Sequence, residues 1–141
     1  MNPTDHEPTD QPFTQRRTED HALIARLVAG DRIALELLYA RHGGWLTQRL
    51  TARGRDVDTV DLAVQDTFVA VWRNADKFRG EGDVGAWIWG IGILRLIWRA
   101  LKPEGVFYAS YKTGNGAGRD TLNRYYNYPS PDWLRATYAE A

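Results

Sequence analysis

"DLAVQDTFVAVWRN", Asp61–Asn74, is the stretch on which the reading of this chain turns. At ~100° per residue, Val64, Phe68, Val71 and Trp72 share one arc of a helix, the arc expected to enter a core. Leu62 and Val69 form a second, narrower stripe on nearly the opposite side, flanked by Asp66 and Arg73, with Asp61 and Gln65 between the two. A helix buried on one side has no need of that second stripe. It packs beneath a loop or the N-terminal helix, or it meets a partner, and the pattern alone leaves both open.

Working outward, the flanks repeat the helical period. Upstream, Leu23, Ile24, Leu27 and Val28 recur at helical spacing after the N-cap candidates Thr18, Glu19 and Asp20. Gly30 reads as a C-cap and Asp31 as the N-cap of a second helix. That helix carries Ala34, Leu35, Leu38 and Tyr39, is interrupted or kinked at Gly43-Gly44, and resumes with Trp45, Leu46 and Leu50. Downstream, Asn74 to Gly85 is a glycine-bearing loop with Asp83 placed to cap a fourth helix, from Val84 to about Lys102, which Pro103 stops. The expected fold is all-α, a bundle of about four helices over residues 18–102.

Both flanking segments differ in composition. Residues 1–17 are rich in Pro, Thr, Asp and Gln with little to bury, and a disordered tail is expected there. Residues 103–141 are rich in Gly, Tyr and Asn: "TGNGAG" reads as a flexible loop or hairpin turn, and Pro131 to Ala139 as one short helix capped by Ser130. This segment has no assignable role and too few aliphatics for a second core.

Composition narrows the function. Eighteen basic and 18 acidic residues balance, so nucleic acid would have to be met by local patches. With no cysteine, and with His6, His21 and His42 scattered, no metal site or other cofactor is expected. No nucleophile elbow, phosphate-cradling loop or histidine beside a serine is present, and Asp56, Asp58 and Asp61 read as capping acids, so the chain is not expected to be an enzyme. "GAWIWGIGILRLIW", Gly85–Trp98, falls short of the ~20 apolar residues of a spanning helix and is interrupted by Arg95, so no membrane insertion is expected. The N-terminus lacks an apolar signal core, which points to a cytoplasmic protein.

In order and spacing, residues 18–102 resemble region 2 of the extracytoplasmic-function (ECF) sigma factors of the sigma-70 family, subunits that direct bacterial RNA polymerase to promoters. "LVAGDRIALELLYARH" is similar to the turn between the first two helices. Asp61, Leu62, Gln65, Asp66, Thr67, Phe68 and Trp72, then Phe78, Arg79 and Gly80, carry the likeness to the family's Asp-Leu-Val-Gln-Glu-Thr-Phe helix and the loop after it. "AWIWGIGI" looks like the start of the DNA-reading helix, with Trp87 in the usual place.

The resemblance implies a module that binds core RNA polymerase and helps recognise and melt the promoter −10 element. Asp61, Leu62, Gln65, Asp66, Val69 and Arg73 would meet the clamp coiled coil of the largest polymerase subunit, with Phe68 and Trp72 behind them as core. The loop from Asn74 to Ala86 would capture a flipped base of the single-stranded −10 element, with Lys77, Phe78, Arg79 and Gly80 supplying cations, an apolar wall and backbone freedom. Trp87, Arg95, Arg99 and Lys102 would add DNA contacts, and an anti-sigma factor is a further implied partner.

Two departures support another reading, a regulatory sigma-like domain that binds polymerase or an anti-sigma factor without supporting initiation. Gly90, Leu94 and Trp98 stand where family members commonly carry polar or charged residues, and residues 103–141 do not resemble region 4, the −35 reader.

Overall fold

Thr18 is where the sequence places the start of the first helix, yet its hydroxyl is already spent inside one. It donates to the Thr14 carbonyl at 3.0 Å, and Gln15 bonds Glu19 at 3.2 Å. Helix α1 accordingly runs Gln11–Val28, because a mid-helix threonine can return its hydroxyl to the preceding turn. This computed structural model describes residues 11–53, 56–80, 82–112, 116–122, 125–128 and 130–139. Most of the expected N-terminal tail therefore lies outside the described residues.

The exit from α1 follows the sequence closely. Gly30 takes φ 93, and the amides of Gly30 and Asp31 return to the carbonyls of Leu27 and Arg26, both at 3.0 Å. Asp31 then caps α2 (Arg32–Thr51), accepting from the Ile33 amide at 3.0 Å. The Arg26 guanidinium, at 2.7 Å, holds the Asp31 carboxyl below the usual carboxylate range. α2 passes through Gly43-Gly44 unbroken, and the Tyr39 ring packs over Gly43.

Helix α3 (Val57–Arg73) is capped by Asp56, which accepts from the Thr59 amide at 2.9 Å and its hydroxyl at 2.7 Å. A 3-10 turn, Ala75–Lys77, follows, and Asp83 caps α4 (Val84–Ala100) through the Ala86 amide at 2.7 Å. Leu23, Ile24 and Leu27 of α1, Leu38, Leu46 and Leu50 of α2, Val60, Val64, Phe68 and Val71 of α3, and Val84, Ile88 and Leu96 of α4 form one core. The only polar side chains buried with them among the described residues are partnered: Thr67 donates to the Ala63 carbonyl at 2.6 Å, and Asp20 is treated below.

Two glycines of α4 behave oppositely. A Cβ on Gly92 would stand 2.8 Å from the Leu46 side chain, itself fully buried, whereas one on Gly90 would meet nothing within 4 Å. Gly92→Val should therefore destabilise by about 1–3 kcal/mol through overpacking. Gly90→Ala should stabilise by up to about 1 kcal/mol through helix propensity. Urea denaturation of both variants checks the pair, and a destabilised Gly90→Ala would contradict it.

The chain divides after Arg99. In the second unit, Gly116–Arg119 (β1) pairs antiparallel with Tyr125–Tyr128 (β2), and α5 covers Pro131–Ala139. The helix is as expected. The strand is a correction, since β1 takes up Gly116 to Gly118 of the segment read as loop or turn. Burial, and a hydrogen bond with the Tyr111 hydroxyl, push the Tyr138 phenol up to about 12.

Candidate functional site

The surface of α3 begins where its buried arc stops. Val60, Ala63, Val64, Thr67, Phe68, Ala70 and Val71 fill the inner side, and Phe68 marks its edge. Trp72 lies one turn on, about 40° further round, and there the sequence reading needs correcting. Trp72 is 46% exposed, with the Arg32 guanidinium 5.5 Å from its ring centre. It belongs to the outer face, not to the core.

That outer face is mixed. Leu62 and Val69 are each 43% exposed, and Asp61, Gln65 and Arg73 are exposed beside them. Leu62 to Val69, and Gln65 to Trp72, are each separated by one heptad, the repeat with which one helix packs along another. Asp66 sits at the edge of this face and is already engaged. Its Oδ2 accepts from Arg99 Nε at 2.8 Å and Nη2 at 2.7 Å. The sequence reading gave these two residues to different partners; folding brings them to each other and bridges α3 to α4. Partly exposed on both sides, such a pair contributes about 0–1 kcal/mol.

The loop after α3 is held from below. Phe78 is half-buried between two rings, His21 of α1 edge-on at 5.2 Å and Trp87 of α4 at 5.2 Å. His21 Nε2 also lies 2.8 Å from the Gly82 carbonyl. Gly80 takes φ 73, a conformation that favours glycine. Lys77, Arg79 and Gly80 are exposed above this aromatic layer. Phe78 and Trp87 therefore pack together with their rings tilted at 49°, while the cations are exposed.

On α4, Arg95 is half-buried and Arg99 is bound to Asp66, while Lys102 is exposed beyond the end of the helix in the second unit. Gly90, Ile93, Leu94 and Ile97 are half-exposed and Trp98 is 63% exposed. The positions that departed from the family pattern thus give α4 a largely apolar outer side.

Sequence reasoning missed two clusters. Asp20, 7% exposed, accepts from Arg41 Nη1 at 2.6 Å and lies 2.9 Å from His42 Nε2. Arg41 also reaches Glu19 at 3.0 Å, and Asp20 foremost holds its guanidinium protonated more firmly than usual. The second cluster is a set of arginines stacked on Trp45 and Trp89. Asp20 reads as a capping acid, and nothing local marks it as the anchor of a residue twenty-odd positions away; for the arginines, the i, i+4 repeat of Trp45, Arg49 and Arg53 was the available signal.

Residues 38–102 match the family model described as sigma-70 region 2. This segment is a sigma-70 region 2 domain. The RNA polymerase sigma factor CnrH of Cupriavidus metallidurans is 38% identical over 98 residues, 68% of this chain and 51% of the relative. NccH of Alcaligenes xylosoxydans xylosoxydans, also named an RNA polymerase sigma factor, is 36% identical over 77 residues, 55% of this chain and 41% of the relative. The ECF RNA polymerase sigma factor SigM of Mycobacterium tuberculosis is 35% identical over 69 residues, 49% of this chain and 35% of the relative. The chain thus spans about half, or less, of the curated relatives it matches. No solved structure matches it significantly. Among the described residues, no helix is long and apolar enough to cross a membrane.

Proposed function

We propose that this sigma-70 region 2 chain binds core RNA polymerase through the outer face of α3 and engages the single-stranded −10 element through the 74–86 loop and α4. The observation that carries the reading is the exposed, heptad-spaced stripe of Leu62, Gln65, Val69 and Trp72. Its apolar centre and polar rim of Asp61 and Arg73 suit the coiled coil of the polymerase clamp. Asp66 contributes from the edge, shared with Arg99.

In the loop, Lys77 and Arg79 provide charge for phosphate, Gly80 lets the backbone turn, and the Phe78–Trp87 layer forms an apolar floor on which an unstacked base can rest. Arg95, Arg99 and Lys102 lie along α4 and past its end, where phosphate contacts give affinity and register more than sequence readout.

The apolar outer side of α4 favours a second reading, a regulatory domain that occupies polymerase or an anti-sigma factor without opening promoters. The two separate in one experiment, core polymerase plus this chain on forked templates that differ only at −10 or only at −35. Dependence on the single-stranded −10 sequence, indifference to −35 and run-off product are expected. Binding to polymerase without product or −10 dependence would leave the regulatory reading.

A further inference from the structure

Where α2 meets α4, two indoles and two guanidiniums alternate. Trp45 and Trp89 pack edge to face with ring centres 6.3 Å apart. The guanidinium carbon of Arg49 lies 4.8 Å from the Trp45 ring centre and 6.0 Å from that of Trp89, and Arg53 lies 5.2 Å from Trp89. Both arginines are exposed and both indoles half-buried. Among the described residues neither guanidinium has a carboxylate partner or a hydrogen bond, so stacking alone holds these side-chain ends.

A guanidinium stacked on a ring keeps its in-plane N–H donors free while losing much of its side-chain freedom beforehand. The strip is therefore positively charged, uncompensated and pre-organised for an anion. Arg49 lies in the last turn of α2 and Arg53 in the turn just past its end, where its amide returns to the Leu50 carbonyl at 3.0 Å, so they present two cations in series rather than one pocket. Cations in series, interleaved with half-exposed aromatic edges, fit a strand that carries repeated phosphates and flat bases. Trp89 also places the strip against α4, the helix that the proposed function turns toward DNA.

We propose that Arg49 and Arg53, held on Trp45 and Trp89, form a phosphodiester-binding strip that extends the DNA contact of this domain onto α2. The strip rests on the DNA-binding reading of α4 but not on base capture by the loop.

The test is fluorescence anisotropy of a dye-labelled single-stranded oligodeoxynucleotide with the full chain, titrated across salt. Arg49→Gln/Arg53→Gln is compared with wild type and with a charge-matched control, Arg16→Gln/Arg17→Gln, whose arginines are exposed on α1. With ~0.7 per single-strand phosphate contact, the strip variant should flatten the slope of log affinity against log salt by about 1.4. The control should leave the slope close to wild type. Equal slopes for the two variants overturn the strip, as does a wild-type chain that binds no oligonucleotide at low salt. Displacement of the oligonucleotide by polyglutamate at equal charge would assign the strip to an acidic protein and overturn it as well. Repeating the titration with a scrambled −10 sequence separates the two ideas. Lost −10 preference with the strip effect intact contradicts base capture alone, and the converse contradicts the strip alone.

Discussion

Phe68→Ala should lower folding stability by about 3–5 kcal/mol, whereas Trp72→Ala, one turn further along α3, should cost about 1 kcal/mol or less. Phe68 is buried in the shared core, with the Tyr39 ring edge-on at 4.8 Å, so truncation leaves a cavity in that core. The loss is a large share of the ~5–15 kcal/mol that such domains possess. Trp72 forfeits the Arg32 contact and some partial burial, most of which water replaces. Thermal melts followed by far-UV circular dichroism should show a drop above about 10 °C for Phe68→Ala and a small shift for Trp72→Ala. Equal and large drops would return Trp72 to the core and shrink the outer face to Leu62 and Val69.

The way α3 was misjudged at one residue shows what a sequence carries. Periodicity gives the direction of the buried arc but not its width, which depends on how many neighbours close over the helix. Phe68 and Trp72 are about 40° apart, and the arc ends between them. The helix count, the Gly30–Asp31 turn and the caps Asp31 and Asp83 were legible because each is decided within a few residues. The start of α1 was not, because an expected cap, Thr18, bonds back to Thr14 instead. Asp20 with Arg41 and His42, and Asp66 with Arg99, required the packing of whole helices before either side chain had a partner. At the candidate site, Leu62 and Val69 were legible as a second stripe, whereas the enclosure of Phe78 between His21 and Trp87 depends on three separated segments.

The second large effect concerns polymerase. Leu62→Ala/Val69→Ala/Trp72→Ala removes the apolar centre of the outer face and leaves Asp61, Gln65 and Arg73 in place. Interfaces of this kind concentrate their energy in a few central anchors, tryptophan prominent among them, with losses of ~2 kcal/mol or more per anchor. About 2.8 kcal/mol across the three corresponds to a 100-fold loss of affinity. The three side chains are solvent-facing, so their loss should spare the fold. Charge reversal at Asp61→Arg should add repulsion at the rim and weaken binding further.

Titration of the full chain into labelled core RNA polymerase, wild type against this triple variant, is the most direct measurement of α3 docking. Both proteins are first checked for matching helicity and cooperative melting. Saturable one-to-one binding by the wild-type chain, and a loss of at least about 100-fold for the folded triple variant, are expected. A triple variant that is equally helical and binds with wild-type affinity would contradict docking through the outer face of α3.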